Sequence, residues 1–377
     1  MTLSISSAFD GGNIRVVAIN GDVAELEIAK DHQSDFYQWF YFRVTGGAGR
    51  AITLRITNCG GAAYPDGWPD YRACVSTDRE DWARTDSFYA NGVLTVSLTP
   101  ASDSIWVAYF APYTMERHHD LIASVAAMPG VEYRTLGQTL DGRELDYFRL
   151  PGGKLQVWLY ARQHPGETMA EWWMEGALER LLDEADPVVR RLRQKATFHI
   201  VPNMNPDGSF RGHLRTNAAG VNLNREWHAP SAERSPEVLH VLAEMDRTGV
   251  DFAMDIHGDE AIAANFLAGF EGIPSLKGEQ QALFDAFGDA LVRISPDFQT
   301  QKGYEIPAAG QANLSMSTAQ LAERFGAVSM TLEMPFKDNA DLPDPVYGWS
   351  IDRCRLLARA CLDGLHAILP ALEAYRK

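Results

Sequence analysis

Apolar and polar residues alternate with a period of two along much of the first third of the chain, a pattern typical of strands with one buried face. Turns that contain glycine, such as Asn20-Gly21 and Asn91-Gly92, separate these stretches. Short strands at this spacing predict an antiparallel β-sandwich of about 110 residues. The predicted strands lie within residues 14–28, 37–44, 51–58, 93–98 and 105–110.

Aromatic residues are dense in two parts of this region, at residues 37–41 and 64–71. Such clusters can bind carbohydrate, but aromatic side chains on the strands of a small sandwich more often pack in the core or against a neighbouring domain. We therefore interpret both clusters as packing residues. The sandwich could also shape access to a cleft in the part of the chain that follows.

Beyond Tyr113 the pattern changes to strands that alternate with helices. Buried strands are predicted at residues 154–162, 252–256 and 328–334, and helices at residues 168–182, 236–245, 279–294, 318–325 and 347–375. This alternation predicts an α/β domain after the sandwich. A chain of 377 residues also exceeds the size at which one core usually stops growing. We place the two domains at residues 1–115 and 116–377.

The formal net charge is −16 at pH 7, and acidic residues are spread over both parts of the chain. This charge argues against nucleic acid or an anionic membrane as a partner. The four cysteines have no Cys-x-x-Cys spacing, and no apolar run approaches the roughly 20 residues that span a bilayer. No leader-like pattern begins the sequence, so we expect free thiols and a cytoplasmic location. A disulfide between Cys59 and Cys74 stays open as an alternative.

A short motif, His164-Pro165-Gly166-Glu167, follows one predicted strand, and His257 follows another. Ligands of open α/β sheets bind at the carboxyl ends of the strands, so we expect these side chains to meet there. Two histidines and one carboxylate form the ligand set of a catalytic zinc that keeps one position open for water. A His-x-x-Glu alone is common by chance, and a histidine at a strand end is more often a plain hydrogen-bonding residue.

Further motifs accompany this triad. In chain order they are His164-Pro-Gly-Glu167, Asn205-Pro-Asp-Gly208, Arg215, Asn224-Arg225, His257 and Thr331-Leu-Glu333. Together they resemble the zinc metallocarboxypeptidases, and specifically their cytosolic carboxypeptidase-like branch. Aromatic motifs at residues 36–43 and 109–114 extend the resemblance to the domain that precedes the catalytic domain in that branch. The resemblance implies a three-layer carboxypeptidase-like domain, with a mixed central sheet flanked by helices, preceded by an antiparallel β-sandwich.

The implied activity is hydrolysis of the C-terminal peptide bond of peptides or proteins, with one Zn²⁺ per chain held by His164, Glu167 and His257. A zinc in this site would lower the pKa of its water to about 7 and polarise the scissile carbonyl. Glu333 lies on an apolar predicted strand, where a charge has little other reason to occur, and is the expected general base. A glutamate paired with a surface arginine is the alternative interpretation.

Other polar residues of the motifs have expected roles toward the substrate. Arg215 is expected to stabilise the oxyanion of the tetrahedral intermediate. Arg225, with Asn224 beside it, is expected to hold the terminal carboxylate, because a guanidinium fork matches carboxylate geometry. That clamp would restrict cleavage to the end of the substrate chain. Without the surrounding motifs, each arginine would be interpreted as a solvated surface charge.

Two positions need separate treatment. Asn222 stands where the family usually has an aspartate that orients a zinc-bound histidine, so zinc binding is expected to be weaker unless another acid, such as Asp255, takes that part. The family also uses a mobile tyrosine near the substrate. Tyr304 is the only tyrosine between His257 and Glu333, and we assign that role to it.

Two other functions remain as alternatives. An aspartoacylase-like deacylase of N-acyl amino acids shares the His-x-x-Glu and the distant histidine, but residues 205–208 and the large sandwich do not favour it. A non-catalytic peptide-binding module is disfavoured by the intact Glu333 and ligand triad. Eukaryotic members of the branch suggest a preference for acidic, glutamyl C termini. However, residues 310–323, which should line the specificity pocket, contain no lysine or arginine.

Overall fold

The computed structural model describes residues 2–377, and its amino-terminal part is built from two five-stranded sheets. Their strands are β1 (Ser4–Ser6), β2 (Arg15–Asn20), β3 (Val23–Glu27), β4 (Tyr41–Thr45), β5 (Ile52–Ile56), β6 (Cys74–Ser76), β7 (Ala83–Arg84), β8 (Ser87–Ala90), β9 (Val93–Leu98) and β10 (Ser104–Ala108). One sheet has the order β1-β4-β10-β6-β7, and the other has the order β2-β3-β5-β9-β8. All pairs are antiparallel except β3 with β5, because the chain crosses to β4 in the other sheet between them.

Buried side chains from both sheets form one hydrophobic cluster, as expected for a sandwich. Trp39, Phe40, Trp68 and Tyr71 are almost fully buried in it, so most of the two aromatic stretches pack as predicted. Strand β4 begins at Tyr41 rather than at residue 37, because residues before Tyr41 form hydrogen bonds outside the β4 ladder. The side chain of Gln38, for example, hydrogen-bonds the backbone of another loop of the sandwich.

The rest of the chain contains one mixed seven-stranded sheet, in the order β11-β12-β14-β13-β15-β17-β16. Its strands are β11 (Glu132–Gln138), β12 (Glu144–Leu150), β13 (Leu155–Ala161), β14 (Ala196–Val201), β15 (Phe252–Asp259), β16 (Phe266–Ala268) and β17 (Val328–Pro335). Strand β13 runs parallel to β14 and β15, and β15 runs parallel to β17. The outer pairs are antiparallel. The carboxyl ends of β13, β15 and β17 therefore meet at one edge of the sheet.

Helices cover both faces of this sheet, which confirms the predicted three-layer arrangement. They are α1 (Met115–Ala126), α2 (Met169–Leu181), α3 (Pro187–Lys195), α4 (Pro206–Arg211), α5 (Pro236–Thr248), α6 (Gly278–Ile294), α7 (Ser317–Phe325) and α8 (Ile351–Tyr375). Alternate residues of β13 face opposite ways. Val157 and Leu159 join a cluster with α2, α6 and α8, whereas Trp158 and Tyr160 join one with α5.

The two parts of the chain share a tightly bonded interface. Buried Arg84 of the sandwich donates to the backbone oxygens of Phe336, at 2.7 Å, and Trp349, at 3.2 Å. The ring of Tyr109 stacks on Phe336 with 4.6 Å between centroids. Helix α1 begins at Met115. The division into residues 1–115 and 116–377 stays a prediction.

All four cysteines are free, as predicted, and all four are buried. Within residues 2–377, no helix combines the length and the apolar character needed to cross a membrane.

Candidate active site and metal centre

The turn after β13 carries the His-x-x-Glu motif, and its backbone is held in an unusual conformation. Arg162 has φ +62°, a left-handed conformation that is strained for a residue other than glycine. Its buried guanidinium donates to the backbone oxygens of Tyr113 and Pro165, at 2.6 and 3.0 Å, and to the carboxylate of Glu171, at 2.7 Å. These bonds fix the turn that presents His164 at the carboxyl end of the sheet.

The second histidine lies on the neighbouring parallel strand. His257 is near the end of β15, directly opposite Glu333 in the register of β15 with β17. Glu167 lies just before α2 and also accepts a hydrogen bond from the backbone of Gly258, at 3.1 Å. The ends of three adjacent strands thus contribute to one point of the structure.

The predicted ligands converge with their polar atoms facing one another. Nδ1 of His164 lies 2.7 Å from Oε1 of Glu167, and Nδ1 of His257 lies 2.7 Å from Oε2. The two Nδ1 atoms are 3.1 Å apart. One ligand atom from each of the three residues falls within 4.8 Å of the others, and all three residues are buried.

The other nitrogen of each imidazole faces an oxygen. Nε2 of His164 lies 3.0 Å from Oδ1 of Asn222. Nε2 of His257 lies 2.9 Å from Oδ2 of Asp255, as an ion-pair contact rather than an aligned hydrogen bond. Asp255 is itself held by Gln163 Nε2, at 2.6 Å. These contacts favour the tautomer with the proton on Nε2, which leaves both Nδ1 lone pairs facing the same point.

This arrangement of ligand atoms fits a zinc ion. Two acceptor nitrogens at 3.1 Å cannot hydrogen-bond each other, but both can bind one cation. Burial, followed by the charge of Arg215, lowers the pKa of His164 to about 4, which keeps its imidazole neutral. Burial opposes a charge on His257 as well, but Asp255 and Glu167 outweigh it and raise its pKa. The carboxylates therefore favour a positive charge at this point, and a bound cation would supply one.

Glu333 is buried beside the triad, and its two oxygens have different surroundings. Oε1 lies 3.2 Å from the hydroxyl of Tyr304. No protein group within residues 2–377 hydrogen-bonds Oε2. Burial, followed by the negative charges of Glu167 and Asp259, raises the pKa of Glu333 well above its ordinary value, although His257 opposes the shift.

Tyr304 lies in the stretch between α6 and α7, which contains no helix or paired strand of its own. Its hydroxyl donates to Oδ2 of Asp259, at 2.8 Å, and its ring packs edge-to-face on Phe266 with 4.9 Å between centroids. The tyrosine therefore links this loop to the carboxylates of Asp259 and Glu333. Tyr304 as a whole is nevertheless 48% exposed to solvent.

The remaining predicted residues lie on the loops after α4. Asn224 and Arg225 end a short 3₁₀ helix, Leu223–Arg225. Oδ1 of Asn224 accepts from the backbone of Ser317, at 2.9 Å, which leaves its amide nitrogen to donate elsewhere. Arg225 is exposed, whereas Arg215 is half-buried.

A cavity of about 390 Å³ is lined by all eight residues predicted for the site. They are His164, Glu167, Arg215, Asn224, Arg225, His257, Tyr304 and Glu333. Of the other lining residues, sequence reasoning missed three that are ionisable, Tyr64, Asp259 and Glu260. Asp259 and Glu260 lie two and three residues after the second histidine, a signal that was available. Tyr64 belongs to an aromatic stretch interpreted as packing, and its position on the cavity wall corrects that interpretation for this residue.

Comparison with known proteins agrees with this geometry. The family description "cytosolic carboxypeptidase N-terminal domain" matches residues 5–110, and "zinc carboxypeptidase" matches residues 119–266. A metallo-carboxypeptidase from Burkholderia cenocepacia of known crystal structure is 45% identical, with a TM-score of 0.94 over 100% of both chains. The chain belongs to the zinc carboxypeptidase family.

Other carboxypeptidases are similar to this chain. A metallo-carboxypeptidase from Pseudomonas aeruginosa, solved in complex with (2-guanidinoethylmercapto)succinic acid, is 41% identical, with a TM-score of 0.96 over 98% of this chain and 100% of that one. Mouse cytosolic carboxypeptidase 1 is 31% identical over 315 residues, which are 68% of this chain and 26% of the mouse protein. The chain thus spans about a quarter of the length of that relative. Membership in the family makes this protein a peptide hydrolase of the carboxypeptidase type and implies zinc.

Proposed function

We propose that this zinc carboxypeptidase removes single C-terminal residues from peptides or proteins, with one zinc held by His164, Glu167 and His257. The observation that carries the proposal is the convergence of these three ligand atoms on a cavity that Glu333 also lines. A cytoplasmic location and the absence of nucleic-acid and membrane partners remain predictions from the sequence.

When bound, zinc lowers the pKa of a water ligand to about 7 and polarises the substrate carbonyl. Glu333 supplies the proton transfer. Its Oε2 accepts a proton from the attacking water and later donates it to the leaving amine. The hydroxyl of Tyr304 lies 3.2 Å from Oε1, whereas Oε2 has no protein partner within residues 2–377 and is therefore the oxygen available for this transfer.

Two arginines act on the substrate. Arg215 donates to the oxygen that becomes negative when the carbonyl is attacked, a role worth about 2.7–4 kcal/mol in known hydrolases. Arg225 and the free amide nitrogen of Asn224 bind the terminal carboxylate. A substrate without that carboxylate lacks this contact, so cleavage is confined to the C terminus.

The residue that is removed enters a neighbouring cavity of about 650 Å³. Its wall is mostly apolar or hydroxyl-bearing, with Phe266, Phe284 and Thr318 among the lining residues. It also includes four acidic residues, Glu271, Asp285, Asp289 and Glu305, whose charge disfavours a glutamate side chain. Lys302 is the only lysine or arginine in the lining as described for residues 2–377, and it is paired with Asp341, at 2.7 Å. A preference for glutamyl C termini is the finer part of the sequence prediction. It therefore requires Lys302 to break its ion pair with Asp341 and bind the side chain of the substrate instead.

The ligand of the Pseudomonas relative does not separate the candidate specificities, because its name contains both a guanidino group and a dicarboxylic acid. Deacylation of N-acyl amino acids and peptide binding without catalysis are not favoured by the similarity to carboxypeptidases over the whole chain.

The test is a panel of peptides that differ only in the last residue, analysed by mass spectrometry. We expect loss of one terminal residue, loss of activity with a chelator, and recovery with zinc. Peptides with a terminal amide serve as the matched control and should react about one to two decades more slowly. Internal cleavage, or release of an acyl group instead of an amino acid, would overturn the proposal. Equal cleavage of glutamyl and apolar peptides would remove the glutamyl preference alone.

A further inference from the structure

A turn of the β-sandwich, at residues 31–36 between β3 and β4, reaches into the catalytic part of the chain. Asp31 is buried, and its carboxylate accepts four hydrogen bonds from three consecutive residues of that part. The backbone N–H groups of Leu214, Arg215 and Thr216 donate at 2.7, 2.9 and 2.9 Å, and the hydroxyl of Thr216 donates at 3.0 Å. Such charge-assisted bonds are among the strongest that fix a loop.

The sandwich holds the same loop at a second place. The backbone N–H of His32 donates to Nε2 of His213, at 3.0 Å, and the other ring nitrogen of His213 donates to the backbone oxygen of Thr216, at 2.8 Å. Asn13 donates to the backbone oxygen of Gly212, at 2.9 Å. Residues 212–216 form no helix or strand, and these contacts with the sandwich add to the few backbone bonds that hold them from within the catalytic part.

Two aromatic rings of the sandwich flank the side chain of Arg215. The guanidinium carbon lies 5.5 Å from the ring centroid of Phe36 and 5.5 Å from that of Tyr64. Both are within the range of cation–π attraction. Buried Gln38 fixes Tyr64 by accepting from its N–H, at 2.8 Å, and donating to its carbonyl, at 3.0 Å. The sandwich thus restricts both the backbone of Arg215 and the direction of its guanidinium.

We propose that the turn at residues 31–36 positions Arg215 for catalysis, with Asp31 fixing its backbone and Phe36 its side chain. The sandwich is then part of the active site rather than an attached module. The inference rests on the proposed role of Arg215 as the group that stabilises the oxyanion. A carboxylate suits this place because three adjacent N–H groups face one point, and only an acceptor with several lone pairs satisfies them all.

The main test is Asp31→Asn in the full chain, alone and combined with Arg215→Ala. The amide keeps the size of the side chain but turns one acceptor into a donor that faces the N–H groups. We expect kcat to fall roughly tenfold to hundredfold, since a displaced oxyanion donor loses most of its effect. KM should change much less, and zinc content should not change. In the double variant, kcat should be close to that of Arg215→Ala, because the proposed effect of Asp31 on kcat passes mainly through Arg215.

Arg72→Gln is the matched control, because the guanidinium of Arg72 also bonds the catalytic part, at the backbone oxygen of Pro345, and its other bond is to the backbone oxygen of Arg84 rather than to the Arg215 loop. It should leave kcat unchanged. If Asp31→Asn does not fold, Phe36→Leu decides the question, with an expected loss in kcat of about twofold to fivefold that disappears in the Arg215→Ala background.

Several outcomes would overturn the inference. One is a normal kcat in folded Asp31→Asn, or in Phe36→Leu where that variant decides, while Arg215→Ala is impaired. Another is a double variant in which Asp31→Asn lowers kcat by the same factor as it does when Arg215 is present. That result would indicate that Asp31 has a purely structural role. A normal kcat in Arg215→Ala would instead contradict the proposed role of Arg215, and this inference would fall with it. Failure of the proposed role of Arg215 can be told apart from failure of this inference, because the single variant Arg215→Ala reveals it without any substitution in the sandwich.

Discussion

Oδ1 of Asn222 lies 3.0 Å from Nε2 of His164, so an amide oxygen rather than a carboxylate faces this imidazole nitrogen. An amide oxygen orients the imidazole but does not make it as basic as a carboxylate would. Asn222→Asp should therefore tighten zinc binding, by about tenfold or more. Competition with a chromogenic chelator measures the affinity. An unchanged or weaker affinity would show that Asn222 does not limit zinc binding.

Glu333→Gln should reduce kcat by about 10²–10⁴, because an amide cannot take a proton from water. Zinc content should stay at the wild-type level, since Glu333 is not among the three proposed ligands. Glu237→Gln is the matched control, because Glu237 is another fully buried glutamate and does not line the cavity. Near-normal turnover in Glu333→Gln would mean that a different group is the base.

Arg225→Gln should remove the preference for a free C terminus. A charge-assisted bond is worth about 1.5–3 kcal/mol, so kcat/KM for peptides with a free carboxylate should fall roughly tenfold to hundredfold. For the same peptides with a terminal amide, kcat/KM should change little, because they do not use the clamp. If both kinds of peptide lose the same factor, Arg225 does not bind the terminal carboxylate.

His118 should make the protein lose stability in alkaline solution. Burial disfavours its charged form, but Glu171, 2.5 Å from Nδ1, and Asp146, 2.9 Å from Nε2, outweigh burial and raise the pKa from 6.5 to about 9. The folded state thus binds this proton more tightly than the unfolded state. The stabilisation is fully present below pH 6.5 and is lost as the pH rises through about 9.

Urea titrations between about pH 6 and pH 10 measure this effect as a free energy of unfolding. The loss should be on the order of 2–3 kcal/mol. His118→Gln is the comparison, since the difference between the two proteins isolates His118 from other groups that titrate in this range. Parallel pH profiles for the two proteins would contradict the assignment.

Much of the site could be predicted because its residues lie at the ends of strands that are evident from local patterns. The bounds of β9, Val93–Leu98, agree with the prediction, and the strands that carry His257 and Glu333 were predicted to within three residues. Periodicity and motif spacing are local properties of a sequence. The sequence therefore indicated which side chains stand at the carboxyl edge of the sheet.

Other features depend on contacts between distant residues, and no local pattern reports them. Asp31 and Leu214 are 183 positions apart, and nothing near Asp31 distinguishes it from an ordinary surface acid. Tyr64 lies in an aromatic stretch whose other members are mostly core residues. One helix end differed from the prediction for a local reason instead. Helix α8 begins at Ile351 rather than at 347, because the Ser350 side chain caps it by accepting from the N–H of Arg353.

The central claim is that His164, Glu167 and His257 hold the zinc that supports peptide hydrolysis. Anomalous diffraction at the zinc absorption edge, on crystals grown from an active preparation, tests it most directly. We predict one strong peak per chain, within bonding distance of Nδ1 of both histidines and of the Glu167 carboxylate. A peak elsewhere, or these three side chains turned away from one another in a preparation that cleaves peptides, would contradict the account.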